Sequence, residues 1–334
     1  MLTQDINPPI PRSESPSTDI ILNSPPSTRT YNDLQVVRKL NKSKFPVFLV
    51  RSKNDDTHYA MKIYPYQGGQ ISEYFQKEAR FNWLSHPNIV SILDTQEIKK
   101  GYGDKKPLSV SYILMEYARH GDFADLIANK KLPKNDKLVR TYFAQLVSGL
   151  QYLHHNGVAH LDLKLDNLLL GQDYQLKISD FDFSIQVGQD FFTDHAGVIN
   201  YRAPEMKQRR CTNFKSADIY SAGIILFLLK TGLLPYAEEG NPRGQALYRL
   251  LLEGKEKEFW ELQETREGMP KLEDSFKKLF MSMVNPDFKK RITVDEIFTQ
   301  EWMRGPQYTI EELTRIMQQK LEGHIPSLSK KLTF

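Results

Sequence analysis

The residues with the most chemistry in this 334-residue chain fall in three short runs. The run His160–Asn167 sets Asp162, Lys164 and Asn167 within six positions. The run Ser179–Ser184 places Asp180 eighteen residues after Asp162, and Tyr201–Glu205 follows it. Upstream, Lys62 stands in the strand-like run Tyr59–Tyr64. Carboxylate and amide oxygens suit hard cations, lysine ammonium groups suit phosphate oxygens, and an aspartate can take a proton. Singly, each residue has an ordinary reading. A strand lysine is a solvated edge residue, and an aspartate after a loop histidine is a cap or turn. Order and spacing carry the information.

Elements must hold these runs in place. From Leu34 to about Leu114 the pattern is mostly strand-like, with β-rich runs at Val36–Leu40, Phe45–Val50, His58–Tyr64, Ile89–Leu93 and Val110–Glu116. One helix is expected over about Ser72–Leu84, where Phe75, Ala79 and Trp83 recur at helical spacing. From Phe123 onward helices dominate. Val139, Phe143, Leu146, Leu150 and Leu153 form one apolar stripe over Leu138–His154. Ile219–Leu229 is apolar on nearly all faces and predicts a buried central helix. A small sheet-rich lobe before a larger helical one predicts a cleft near Tyr112–Asp122, a usual place for a small ligand. Thr309 with Glu312 fits a capping box, predicting a helix to about Leu321 that packs on the larger lobe.

Composition narrows the classes further. Hydrophobic residues make up 40% and charged ones 26%, which excludes a wholly disordered or fibrous chain. The longest apolar run, Ala222–Leu229, is far short of the roughly 18 residues of a membrane span. The start of the chain lacks the basic and apolar regions of a signal peptide. A single cysteine, Cys211, permits no intrachain disulfide and no cysteine-rich zinc module. The expectation is an intracellular, cytoplasmic protein. Net charge is only +4, and Lys99-Lys100, Lys105-Lys106 and Lys289-Lys290-Arg291 are read as solvated loops rather than a nucleic-acid footprint. Residues 1–30 hold six prolines and no glycine or aromatic residue, so they are expected to form a flexible tail.

In this order and spacing, the three runs resemble the catalytic loop, metal-binding segment and activation-segment end of eukaryotic protein kinases. His86–Val90, Ala217–Gly223 and Lys289–Thr293 match secondary landmarks, so the resemblance covers about Leu34 to Met303. It implies a bilobal α+β fold with a β-rich N-lobe (31–116), an α-helical C-lobe (117–303) and the active site in the cleft. An extension, 304–334, carries one further helix. The resemblance also implies roles. Lys62 pairs with the α/β-phosphates of ATP, Asp162 accepts or orients the substrate hydroxyl proton, and Lys164 sits by the γ-phosphate. Asn167 and Asp180 hold Mg²⁺, with Mn²⁺ as the alternative. Met115–Ala118 corresponds to the gatekeeper and hinge, where backbone groups of Glu116 and Ala118 meet the adenine edge. Leu40, Val47, Ala60 and Leu169 supply apolar surface around the ring, and Asp122 faces the ribose. Phe181 packs beside the metal segment, Asp218 braces the catalytic loop, and Glu205 and Arg291 form an anchoring ion pair. Glu78 is chosen over Glu73 as the helix partner of Lys62.

Departures from the family pattern are equally specific. Leu40–Leu49 stands where a glycine-rich loop belongs, yet no glycine precedes Gly68, so Lys42 and Lys44 are expected to hold phosphate by charge. Asp182 replaces the glycine of the metal segment. Leu161 replaces the arginine that receives an activation-segment phosphate, which leaves Thr193 an ordinary loop residue. Val198 lacks a hydroxyl that usually bridges the catalytic aspartate and lysine. The implied function is ATP-dependent phosphorylation of serine or threonine in protein substrates, in intracellular signalling. The organisation resembles the calmodulin-dependent and AMP-activated kinase group. The alternative is a pseudokinase acting as a nucleotide-binding or scaffold module.

Overall fold

The computed structural model describes residues 30–31, 33–40, 45–66, 70–102, 107–132, 135–188, 199–208, 211–237 and 241–323. The expectations that fall on the tail 1–29, on Lys42, Lys44, Thr193 and Val198, and on Lys105-Lys106 lie outside these residues. The chain divides into two compact units. One takes residues up to Ser72 together with Thr95–Leu114, and the other takes Glu73–Asp94 and everything from Met115 on. This differs from the lobe boundary expected at residue 116. The stretch after Ser72 goes to the second unit because Phe81, Leu84 and Ile89 bury in the large helical core.

Six strands make the sheet: β1 (Thr30–Tyr31), β2 (Leu34–Lys39), β3 (Val47–Ser52), β4 (His58–Pro65), β5 (Ile92–Tyr102) and β6 (Pro107–Glu116). They close as a barrel in the order β1-β2-β3-β4-β6-β5. Antiparallel register pairs Val47 with Lys62, Phe48 with Met61 and Leu49 with Ala60. Because side chains alternate across a strand, Phe48, Val50, Met61 and Ile63 point together into a core with Val36, Val110 and Tyr112. The same alternation puts Val47, Ala60 and Lys62 on the opposite face.

Two strand expectations need correction. β5 starts at Ile92 rather than Ile89, because Asn88 and Val90 are already bonded to Ile178 (Val90 N to Ile178 O 2.9 Å, Ile178 N to Asn88 O 2.8 Å). Lys99 and Lys100 lie on β5 and not in a loop.

The second unit begins with α1 (Glu73–Ala79), shorter than expected. After Ala79 the chain tightens into turns whose N–H groups reach back three residues, Phe81 to Glu78 and Leu84 to Phe81. A spacing of three turns Phe81 and Leu84 inward and rotates Trp83 out, so Trp83 is 47% exposed and not part of the expected apolar face. The helices that follow are α2 (Phe123–Ala128), α3 (Asp136–His155), α4 (Pro204–Lys207), α5 (Phe214–Thr231), α6 (Pro242–Leu252), α7 (Glu256–Glu264), α8 (Asp274–Met283), α9 (Val294–Ile297) and α10 (Ile310–Glu322). Short strands β7 (Val158–Ala159), β8 (Leu168–Leu170), β9 (Leu176–Ile178) and β10 (Ile185–Gln186) lie between α3 and α4. Asn135 caps α3 by accepting from Leu138 N at 2.8 Å. The predicted stripe of α3 is buried throughout, and α5 is buried on nearly every face.

The capping box at Thr309 starts α10, and its Leu313 and Met317 enter the large core. Polar contacts fasten the approach to this helix. Arg140 on α3 donates to Trp302 O at 2.6 Å and to Pro306 O at 3.0 Å. Tyr308 N donates to Thr141 Oγ1 at 2.9 Å, and Lys137 meets Glu312 at 3.0 Å. Gly305 leaves room for this guanidinium, since a Cβ there would lie 2.3 Å from Arg140 Cζ and would displace it. Among the described residues, no helix is long and apolar enough to cross a membrane.

Candidate active site

The run His160–Asn167 leaves β7 and closes on a 3-10 turn, Leu165–Asn167, just before the β8–β9 hairpin. Asp162 is buried, and its Oδ2 accepts from Lys164 Nζ at 2.6 Å and from Asn167 Nδ2 at 2.9 Å. Asn167 Nδ2 also reaches Asp162 O at 2.8 Å. The structure therefore brings these three together. Ser179, which the sequence reading passed over, ties the loop to the metal segment: its N and Oγ donate to Asn167 O at 2.9 and 3.0 Å.

His160 is a rigid strut beneath the loop. Its Nδ1 accepts from Asp162 N at 3.2 Å, so the ring proton sits on Nε2 and is donated to Ser179 O at 3.0 Å. Asp218 supplies the brace. It accepts from His160 N and Leu161 N, both at 2.8 Å, and from His154 Nε2 at 3.0 Å. That grip holds Leu161 at φ 64°, a left-handed conformation a leucine adopts only under constraint. His154 carried no signal beyond its place on the apolar stripe of α3.

Asp180 also adopts a left-handed conformation, with φ 68°. Phe181 packs on His160 at 5.1 Å and on Phe81 at 5.8 Å, and its N–H points to Glu78 Oε1 at 3.4 Å. Glu78 is 1% exposed, whereas Glu73 faces solvent. Glu78, Asp180 and Asp182 each bring one carboxylate oxygen within 4.8 Å of the others. Asp182 thus adds charge directly beside Asp180.

The remaining expected nucleotide residues lie within their own units. In the first unit, Leu40 N donates to Val47 O at 2.7 Å, and Lys62 is buried at the same sheet face as Val47 and Ala60. In the second, Asp122 and Leu169 face each other across an isolated bridge. Asp122 caps α2 by accepting from Asp125 N at 2.8 Å, and burial pushes its carboxyl pKa up. Met115 is buried and Ala118 half-buried. One expectation changes: Glu116 N donates to Ser91 O at 3.1 Å, so only its carbonyl remains for an adenine edge. The Glu116 carboxylate is held by Ser91 N at 2.8 Å and Lys177 Nζ at 3.0 Å.

Below the site, Arg291 makes a two-pronged bond to Glu205, at 2.6 and 3.0 Å, with both side chains buried. Cys211 lies close by, half-buried, and burial pushes its thiol up to about 11. At pH 8 the folded chain then holds far less thiolate than the unfolded chain. Iodoacetamide should label native Cys211 about 100-fold more slowly than the denatured chain. Equal rates would show an open thiol. Because burial penalises only the thiolate, this group leaves stability unchanged below the ordinary thiol range and lowers it as pH rises from there towards 11.

Over 270 residues the chain is 31% identical to CBL-interacting serine/threonine-protein kinase 12 of Arabidopsis thaliana, covering 77% of this chain and 50% of that protein. It is 29% identical to CBL-interacting protein kinase 31 of Oryza sativa subsp. japonica, over 84% of this chain and 60% of that one. It is 30% identical to the carbon catabolite-derepressing protein kinase of Secale cereale, over 71% and 43%. The chain thus spans about half the length of the curated relatives it matches. A family model for the protein kinase domain matches residues 42–303, a stretch that contains every residue of the site built above except Leu40, and on that ground the chain belongs to the protein kinase family.

Proposed function

We propose that this protein transfers the γ-phosphate of ATP to serine or threonine hydroxyls of protein substrates, as an intracellular signalling kinase. The observation that carries the reading is the convergence of Lys164 and Asn167 on Asp162 Oδ2, at 2.6 and 2.9 Å. Phosphoryl transfer needs positioning and charge neutralisation more than covalent chemistry. In this reading Asp162 takes the acceptor hydroxyl proton, Lys164 neutralises the transferring phosphoryl group, and Lys62 holds the α/β-phosphates. Asp180 and the Oδ1 of Asn167 offer hard oxygens that suit Mg²⁺, which would neutralise phosphate charge when bound. Val47, Ala60, Met115 and Leu169 line the adenine, with backbone groups of Glu116 and Ala118 at its edge and Asp122 at the ribose. The names of the relatives, all protein kinases and several serine/threonine kinases, support the same class.

The test uses the full chain with γ-labelled ATP, Mg²⁺ or Mn²⁺ and casein, beside a thermal-shift titration with ATP. Label on serine or threonine, together with stabilisation that is larger with metal than with EDTA, is the expected result. Stabilisation with no transfer would make the protein a nucleotide-binding module. No stabilisation at millimolar ATP would leave a scaffold.

A further inference from the structure

Beside the catalytic loop, the turn Ile199–Tyr201 leads into Arg202 and Ala203. Tyr201, Arg202 and Ala203 line one small cavity together with Leu161, Asp162 and Leu163. Whatever holds that turn therefore sets one wall of the space beside Asp162. Two hydroxyls hold it from beneath. Ser221 Oγ on α5 donates to Tyr201 O at 2.8 Å, and Tyr236 OH donates to Asn200 O at 3.2 Å.

The Tyr236 bond belongs to a chain whose direction chemistry fixes. A carbonyl only accepts, so the single proton of Tyr236 goes to Asn200 O. The 2.8 Å contact between the Tyr220 and Tyr236 hydroxyls must then run from Tyr220 to Tyr236. Tyr220 and Tyr236 are 0% and 2% exposed, so the relay is shielded from water, and donors in series strengthen one another. The ring of Tyr236 is fixed independently, against Tyr248 at 4.7 Å on α6 and under Lys207 Nζ at 5.8 Å on α4. Removing the hydroxyl would leave that packing intact.

The geometry points to Tyr236 as a positioning residue for the protein substrate, acting through Asn200 on the turn beside Asp162, with Tyr220 as the donor that polarises it. This rests on the proposed kinase activity. Tyr236→Phe should raise KM for casein about tenfold (about 1.4 kcal/mol), while kcat and KM for ATP stay within twofold. Tyr220→Phe, which removes the polarising donor, should raise it about threefold. An unchanged casein KM in Tyr236→Phe overturns the assignment. So does a change spread equally over kcat and both KM values, which would mark a purely structural role. A wild-type chain that transfers no phosphate overturns the kinase reading, and hydrogen exchange then still tests the relay. The Arg202 amide, bonded to Ile199 O at 3.3 Å, should exchange about tenfold faster in Tyr236→Phe, with amides of α3 unchanged. Equal exchange in the two chains overturns the relay.

Discussion

Asp162→Asn is expected to lower phosphate transfer by about 10²–10⁴-fold, the usual contribution of a placed proton acceptor. The substitution is informative because it changes so little else. An asparagine oxygen can still accept from Lys164 Nζ and Asn167 Nδ2, the two donors that meet at Asp162 Oδ2. The loop below is held through main-chain groups by Asp218, which the change does not touch. Only the negative charge and its affinity for a proton are lost. The thermal shift given by ATP with Mg²⁺ should therefore match that of the wild type. A loss smaller than tenfold in turnover would remove Asp162 from the chemistry and move the search to another base.

The largest effect on stability is expected from Arg291→Ala. The guanidinium meets both oxygens of Glu205, and it also donates to Ser216 O at 2.8 Å and Asn285 O at 2.8 Å. The two side chains are 0% and 4% exposed. Truncating the arginine leaves the Glu205 carboxylate buried without a counter-charge, along with the carbonyls that its N–H groups served. Breaking such a pair costs about 3–5 kcal/mol, which in a chain of this size lowers the melting temperature by on the order of 10 °C. Arg291→Met combined with Glu205→Leu should recover much of the loss, because no charge is then stranded. If Arg291→Ala melts within 2 °C of the wild type, by the same rough conversion, the pair does not anchor the α4 segment.

How legible these groups were depends on how local their geometry is. Asp162, Lys164 and Asn167 fall within six residues, so a single turn can bring them together and the spacing alone draws attention to them. The α+β class was readable for a similar reason: the β-rich runs that form β3 and β4 and the apolar stripe of α3 are short-range patterns. Trp83 misled because a helical period was extended past Ala79, where the chain changes to a three-residue repeat that only tertiary packing selects. The length of β5 was hidden because Lys99 and Lys100 read as loop residues, although the strand runs through them to Tyr102. The Glu116 N–H could not be assigned before Ser91 was placed opposite it. Tyr236 and Tyr220 are sixteen residues apart with part of a helix and a turn between them, and no periodicity relates two hydroxyls across such a path.

The helix after residue 303 changes what counts as one unit of this protein. The family model stops at Met303, yet Arg140 spends a hydrogen bond on Pro306, Gly305 is shaped to receive that guanidinium, and Leu313 and Met317 fill the same core as the helices before them. The segment that folds together here is therefore longer than the segment the family model matches. Residues 304–323 are held from inside the domain, by polar contacts to the first turns of α3 and by two side chains in its core. A graft or swap of kinase domains cut at Met303 would carry away one half of that arrangement and leave the other half exposed.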